Sequence, residues 1–294
     1  MRAAIFRNGG IVVDDLGDPT PSERQVLVKS LCCGICGSDL HAAKHTPEFV
    51  DRSRRSGNRW AMDPERDAVF GHEFCCEVVD HGPGTDKRLK PGTLVCSMPM
   101  TIAGNTVHGI GYSNDIAGGF AQYMPLAERL LLEVPNGLPA PHAALTEPIA
   151  VGWHAVQKAR LTPHDVPLVI GCGPVGLAVI ASLKISDFHP IIAADFSPKR
   201  RALAVEMGAD IIVDPGEMSP YTSWHQAATP PGYDGSRYAQ LFGLSPKLPP
   251  AVVLECVGVP GVIQQVIDGR RPALASLSSA CACKPTSSNR SSVL

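Results

Sequence analysis

From residue 1 to about 135, apolar positions fall in short runs broken by Gly, Pro and Asp, as at 26–31, 74–79, 93–97 and 130–134. Runs of this length bounded by turn residues predict an antiparallel β domain. The stretch 51–67, DRSRRSGNRWAMDPERD, is basic and then acidic without a period, and predicts an exposed insertion loop. From residue 141 the texture changes. HAALTEPIAVGWHAVQKARL carries apolar residues at helical spacing. PLVIGCGPVGLAVIASLK, PIIAADFSPKRRALAVEMGAD, IIVDP and AVVLECVGVPGVIQQVID follow, and read as β-α-β-α-β-loop-β-α. That alternation predicts a doubly wound parallel sheet, with 216–250 as an excursion between two strands. Residues 269–294 show neither period and predict a flexible tail. The chain therefore divides into 1–157, 158–268 and 269–294.

Composition adds limits. With 294 residues, 44% of them hydrophobic and 18% charged, the chain suits two globular domains. A net charge of −2 offers no polyanion footprint, so nucleic acid is not the expected partner. The span 166–183 is free of charge, but Pro167 and Pro174 and three glycines interrupt it, so a strand, turn and helix are expected there rather than a membrane span. The N-terminal stretch lacks the apolar core of a signal peptide. Ten cysteines without a secretion signal point to reduced thiols and a cytoplasmic protein.

Gly171-Cys172-Gly173-Pro174-Val175-Gly176 is a G-x-G-x-x-G loop between an apolar strand and an apolar helix, with Asp195 ending the next strand. That context is what a dinucleotide fingerprint requires. The glycines allow the tight turn, the approach of a pyrophosphate and close packing of helix on strand, while the helix N-terminus faces the anion. Asp195 would accept from ribose hydroxyls and repel a 2′-phosphate, which favours NAD. Lys199, Arg200 and Arg201 nearby weaken that preference, and Arg200 is itself a candidate contact.

A second constellation lies earlier. Cys32-Cys-Gly-Ile-Cys-Gly-Ser-Asp-Leu-His41 gathers thiols, an acid and an imidazole; Gly71-His72-Glu73 and Glu147 add ligand chemistry. Thiolate, imidazole and carboxylate are zinc ligands, and three of them with one open position make a catalytic site. Taken singly, His72 could be a core histidine and Glu147 an acid at a helix start. Cys33 and Cys36 also have CxxC spacing, but redox pairs of that kind open a helix in a βαβ setting, and this one lies in the β domain.

GICGSDLH, GHE, KPGTLV, EPIAVGWHA and VIGCGPVGLAVI, in this order, resemble the zinc-dependent medium-chain dehydrogenase/reductase family, which includes alcohol, polyol and threonine dehydrogenases. The resemblance covers about residues 1–268. It implies an α/β chain with a GroES-like β domain (1–157) holding a catalytic zinc and a Rossmann domain (158–268) holding NAD. Cys36, His72 and Glu147 match the zinc ligands, and Glu73 matches an acid that ligates directly or supports the histidine. Ser38 matches the hydroxyl that bonds the substrate alcohol, and His41 the end of a proton relay. Gly171, Gly173, Pro174, Val175, Gly176, Asp195 and Arg200 match the cofactor site. The implied reaction moves a hydride from a secondary alcohol or polyol to NAD, the zinc polarising the alcohol oxygen.

Two departures qualify this. Members with a structural zinc hold it by four closely spaced cysteines, whereas 96–120 contains one, so a single catalytic Zn2+ is expected. After 268 a valine-rich strand is expected; ASLSSACACKPTSSNRSSVL stands there instead, and we read the Rossmann sheet as C-terminally truncated, two strands short, by a shifted reading frame near 270. Three functions stay open: the NAD- and zinc-dependent dehydrogenase acting on a small-molecule alcohol, a truncated non-catalytic relative that binds zinc and nucleotide, and a zinc-free NADPH reductase of the same superfamily. The sequence leaves a homo-oligomer open.

Overall fold

The computed structural model describes residues 1–57, 62–229, 251–268 and 276–279. The chain forms two compact units, Met1–Glu147 and Pro148–Leu294. Residues 148–157, placed above with the first domain, thus group with the second.

In the first unit, β1 (Arg2–Arg7) and β2 (Gly10–Asp15) form a hairpin. Its two-residue turn, Asn8-Gly9, has both residues at positive φ, the tight-turn chemistry that matches strand twist. A two-residue strand β4 (Ala68–Val69) pairs on the other side of β1. The main sheet has the order β10-β6-β5-β3-β9, built from β3 (Gln25–Gly34), β5 (Glu73–His81), β6 (Leu94–Ser97), β9 (Tyr123–Ala127) and β10 (Leu131–Glu133). All its pairings are antiparallel. β7 (Met100–Ala103) and β8 (Thr106–Gly109) make a separate hairpin. Val26, Val28, Phe74, Cys76, Val78, Val95, Met124 and Leu126 point to one face and form the core, each 3% exposed or less. Burying that apolar set is the main driving force for this unit.

The stretch 51–67 differs from its expected form. Its first five residues end helix α2 (Thr46–Arg55), which follows α1 (Gly37–Lys44). Pro47 sits in the first turn of α2, Glu48 lies at its N-terminal end, and Arg52, Arg54 and Arg55 lie at its C-terminal end, so charge matches the helix dipole. Val50 and Met62 pack against Phe6 and Phe70. Only a few apolar residues mark this packing, too few to show a period. Residues 58–61 lie outside the described residues. Beyond them, Asn114 ties the chain down. Its Nδ2 donates to the carbonyls of Asp63, Arg66 and Asp67 at 3.0, 3.1 and 3.0 Å, and its Oδ1 accepts from Asp63 N at 2.8 Å.

The second unit begins within α4 (Thr146–Ala159), which follows the short α3 (Ala140–Ala143). Its sheet has the order β13-β12-β11-β14-β15, all parallel, from β11 (Val166–Ile170), β12 (Ile192–Ala194), β13 (Ile211–Val213), β14 (Ala251–Glu255) and β15 (Ser276–Ser279). Val169, Ala193, Val252 and Leu254 face α4, α5 (Pro174–Ile185) and α6 (Pro198–Glu206). Leu168, Ile192, Ala194 and Val253 face α7 (Pro220–Ala228) and α8 (Val262–Asp268). Both faces are therefore covered, as parallel sheets require. Helix α7 occupies part of the expected excursion 216–250; residues 230–250 lie outside the described residues.

The tail corrects a second expectation. No strand was expected after 269, yet β15 runs parallel to β14 with Val252 opposite Ser276 and Glu255 opposite Ser279. Serine gives no β-propensity signal, but a ladder needs only backbone groups, and the edge of β14 offers a row of them. The rest of 269–294 lies outside the described residues. Among the described residues, no helix is long and apolar enough to cross a membrane.

The Asn114 staple can be tested by order of effect. Asn114→Asp keeps the shape but turns the donor into a charged acceptor facing three carbonyls, so it should lose about 2–4 kcal/mol in urea unfolding. Asn114→Ala should lose less, about 1–3 kcal/mol. The reverse order would show that the amide is not the staple.

Candidate active site

The first unit brings together the sulfur of Cys36, the imidazole of His72 and the carboxylate of Glu73, with one ligand atom from each lying within 4.8 Å of the others. Cys36 immediately precedes α1, and Asp39 is the third helical residue. The Asp39 Oδ2 accepts from Cys36 N at 3.0 Å, the reach-back of a capping box, so the helix start itself fixes Cys36. His72 and Glu73 come from the entry to β5. Gly71 precedes them at φ +94°, where a Cβ would press on Phe120 Cδ1 at 2.7 Å and Cys33 Sγ at 2.9 Å. Glu73 lies opposite Gly34 across β3 and β5, and a side chain at 34 would collide with its carboxylate. The two glycines thus clear the space in which the cluster assembles.

Asp39 is 3% exposed and carries more of the site than the sequence reading assigned to it. Its Oδ1 lies 3.3 Å from His72 Nδ1, out of line for a full hydrogen bond, and accepts from Tyr112 OH at 3.2 Å. Tyr112 OH also lies 2.8 Å from Ser38 Oγ, so its one proton is shared between the two oxygens, and its ring stands 5.5 Å from that of His72. Ser38 Oγ is 3.5 Å from His72 Nε2. Ser38 Oγ thus stands between the Tyr112 hydroxyl and the His72 ring. His41 is one turn further along α1, its ring 4.9 Å from that of His45. Glu147 stands in the first turn of α4. Burial raises its pKa, the charge on His72 lowers it, and Glu73 and Asp39 raise it again. It therefore sits within electrostatic reach of the cluster but is not one of the three grouped ligands.

Burial alone would push His72 down. Hydrogen bonding and charge from Asp39 and Cys36 outweigh it and raise its pKa to about 10. The position is thus one where the surroundings stabilise positive charge. A soft thiolate, an imidazole and a carboxylate are a zinc donor set, and a separation of 4.8 Å is a small side-chain adjustment away from the roughly 3.5 Å edges that Zn–S and Zn–N bonds set in a tetrahedral site. The residues fit the ion. Cys33 does not share this role: burial raises its thiol to about 12, and it packs against the core of the main sheet. Its thiol is poorly suited to redox exchange with Cys36.

In the second unit, the loop after β11 meets the loop after β14 at the point where strand order reverses, the place where such sheets bind ligands. Cys256 N donates to Ile170 O at 2.8 Å. Gly171 has φ +93° and a Cβ there would meet Val257 Cγ2 at 2.6 Å, while one on Gly176 would collide with Gly171 O. A Cβ on Gly173 would meet nothing within 4 Å, so the middle of the loop is open on that side. Pro174 opens α5, followed by Val175 and Gly176, whose first-turn position leaves amides facing outward. Asp195 is 9% exposed. Its Oδ2 accepts from Cys172 N at 2.8 Å and its Oδ1 from Ser197 N at 2.7 Å. A carboxylate has about four acceptor positions, so two remain for ribose hydroxyls. Arg200 stands 3.8 Å from Oδ2 and is largely exposed. Arg201 is committed to Asp214 at 2.8 Å and to the carbonyls of Asp195 and Phe196.

A glycine-loop parallel sheet in one unit and a thiolate–imidazole–carboxylate cluster in the other define an oxidoreductase architecture. Residues 22–136 match the family described as alcohol dehydrogenase GroES-like domain, and residues 174–279 match that described as zinc-binding dehydrogenase. The (R,R)-butanediol dehydrogenase of Bacillus subtilis is 34% identical over 278 residues, covering 91% of this chain and 73% of that protein. The sorbitol dehydrogenase of the same organism is 30% identical over 227 residues, covering 73% of this chain and 61% of that protein. The crystal structure of 2R,3R-butanediol dehydrogenase from B. subtilis superposes with a TM-score of 0.69 at 28% identity, covering 96% of this chain and 79% of the other. The chain belongs to the zinc-dependent medium-chain dehydrogenase family, with a GroES-like and a Rossmann unit, and is an alcohol dehydrogenase-type oxidoreductase.

Asp39→Asn should weaken Zn2+ binding to the purified chain about 10- to 100-fold, since the carboxylate orients His72 and raises its basicity. Competition with a chromophoric chelator measures this. Affinity should also rise with pH, because the proton held on His72 must leave before the ion binds. Unchanged affinity in the variant would remove Asp39 from the site.

Proposed function

We propose that the chain takes a hydride from a secondary alcohol or polyol to NAD, with a single zinc ion held by Cys36, His72 and Glu73. The observation that carries this reading is the three-ligand cluster with the Ser38 hydroxyl oxygen 3.5 Å from His72 Nε2. Glu147 then stands outside the ligand set as an acid near the cluster. Bound at these sites, the two groups would supply a Lewis acid for an alcohol oxygen and an acceptor for its hydride.

The chain's own residues divide the remaining work. Ser38, held by Tyr112, accepts the alcohol proton, and His41 on the same helix is the candidate to carry it to solvent. Asp39 holds His72 in position. Gly171, Gly173, Pro174, Val175 and Gly176 cradle the pyrophosphate, and Asp195 binds the adenosine ribose. Asp195 favours NAD over NADP, because a 2′-phosphate would meet its carboxylate and the single exposed Arg200 offsets that repulsion only weakly. The intact ligand cluster disfavours a zinc-free NADPH reductase. The butanediol and sorbitol relatives suggest vicinal diols and sugar alcohols as the substrates to try. The free thiols among the described cysteines suit a reducing compartment such as the cytoplasm.

The test is elemental analysis for zinc together with NAD+ reduction followed at 340 nm over a panel of diols and polyols. About one zinc per chain and turnover with a diol support the reading. Zinc and NAD+ binding without turnover would favour the non-catalytic relative instead. Within an active chain, Ser38→Ala should lower kcat about 10²- to 10⁴-fold, the range for loss of a positioned proton acceptor, while leaving zinc content unchanged.

A further inference from the structure

Three cysteines outside the zinc cluster form a row across three adjacent strands. Cys32 on β3 lies directly opposite Cys75 on β5. On the far side, β5 and β6 pair with Cys76 opposite Val95 and Glu77 opposite Leu94. The same register places Cys75 opposite Cys96. All three pack with Ala140, Ala143 and Ala144 of α3 and the residue after it, on the face of the main sheet away from its Val26–Phe74–Met124 core, whereas Cys76 points into that core.

Two features single out one pair of the three. Cys75 and Cys96 are both buried in this layer, at 0% and 5% exposure, whereas Cys32 is only partly buried at its edge. The pairing geometry also suits a covalent link. Val78 N donates to Thr93 O and Gly92 N to Val78 O, a bulge at Gly92 from which the ladder runs through 77/94 and 76/95, so that by alternation 75/96 falls at a non-hydrogen-bonded position. Residues at non-hydrogen-bonded positions have Cα atoms about 4.5 Å apart, within the roughly 4.4–6.8 Å span of disulfides. Cys96 also donates to Ala143 O at 3.1 Å, the carbonyl that accepts from Thr146 Oγ1 at the start of α4.

We propose that Cys75 and Cys96 are a redox site that closes to a reversible cross-strand disulfide when the chain meets a peroxide. One thiol attacks the peroxide, so that an S–O bond forms, the O–O bond breaks and water leaves. The second thiol attacks that sulfur, the S–S bond forms, the S–O bond breaks and a second water leaves. The two thiols lose two electrons and two protons in total. The link would join β6 to the strand that carries Glu73 and would take Cys96 away from Ala143 O.

The test uses the full chain, a limiting amount of hydrogen peroxide, alkylation of the remaining thiols and non-reducing peptide mapping. Cleavage after Lys87 and Arg88 separates the two cysteines. The expected result is a thiol count that falls by two from the chain's ten, one linked peptide pair containing Cys75 and Cys96, and full recovery with dithiothreitol. Because Cys75 and Cys76 share a peptide, variants assign the sulfur: Cys76→Ser should keep the link and Cys75→Ser should lose it. A link that survives Cys75→Ser, a link at Cys33–Cys36 or Cys281–Cys283 with Cys75 and Cys96 still reduced, or no thiol loss at all would overturn the proposal.

Discussion

A buried carboxylate organises the functional corner of the first unit. Placing the Asp39 charge at 3% exposure is unfavourable unless its oxygens are satisfied. Two hydrogen bonds reach them, from Cys36 N at the start of α1 and from the hydroxyl of Tyr112 beyond β8, and the imidazole of His72 ahead of β5 adds a charge contact at 3.3 Å. Each partner gains a fixed position in return. Cys36 is set at the helix start, Tyr112 is set against Ser38, and His72 has Nδ1 toward Asp39 and Nε2 3.5 Å from Ser38 Oγ. Ligand geometry and hydroxyl placement therefore share one electrostatic cause.

That arrangement explains what could be read from the sequence and what could not. Cys36, His72 and Ser38 lie in recognisable strings, and the structure brings them together. Asp39 lies in the same string, three residues after Cys36, and its capping spacing was the available signal. Tyr112 had no such signal. It sits in a segment whose interest in sequence was its shortage of cysteines, and its role arises only when the loop after β8 folds across α1. That Glu73 groups with Cys36 and His72 was likewise a matter of packing, since Gly34 leaves the gap its carboxylate occupies.

The second unit was more legible because its signals are local and strong. Apolar strands, a glycine loop and an acid at the end of the next strand appear in order, and the sheet follows them. Its two misjudged places have a common origin. Helix α7, in the expected excursion, buries Trp224 and Ala228 against the sheet, and β15 joins it through a backbone ladder with β14. In both, the partner surface supplies what the segment's own residue pattern does not announce. The helix α2 in the first unit is a third instance, with Val50 as its fully buried apolar anchor.

The contact between Asp195 and the glycine loop bears on how cofactor preference could be changed. Its Oδ2 accepts from the amide of Cys172, inside the loop that faces the pyrophosphate, and its Oδ1 accepts from Ser197 at the start of α6. The residue that would read the ribose is thus also a strut between two loops. Replacing it with a small neutral residue to admit a phosphate would remove the support of the adjoining site along with the repulsion. A redesign of this chain toward the phosphorylated dinucleotide needs a substitute acceptor for the Cys172 amide before it needs a new cation.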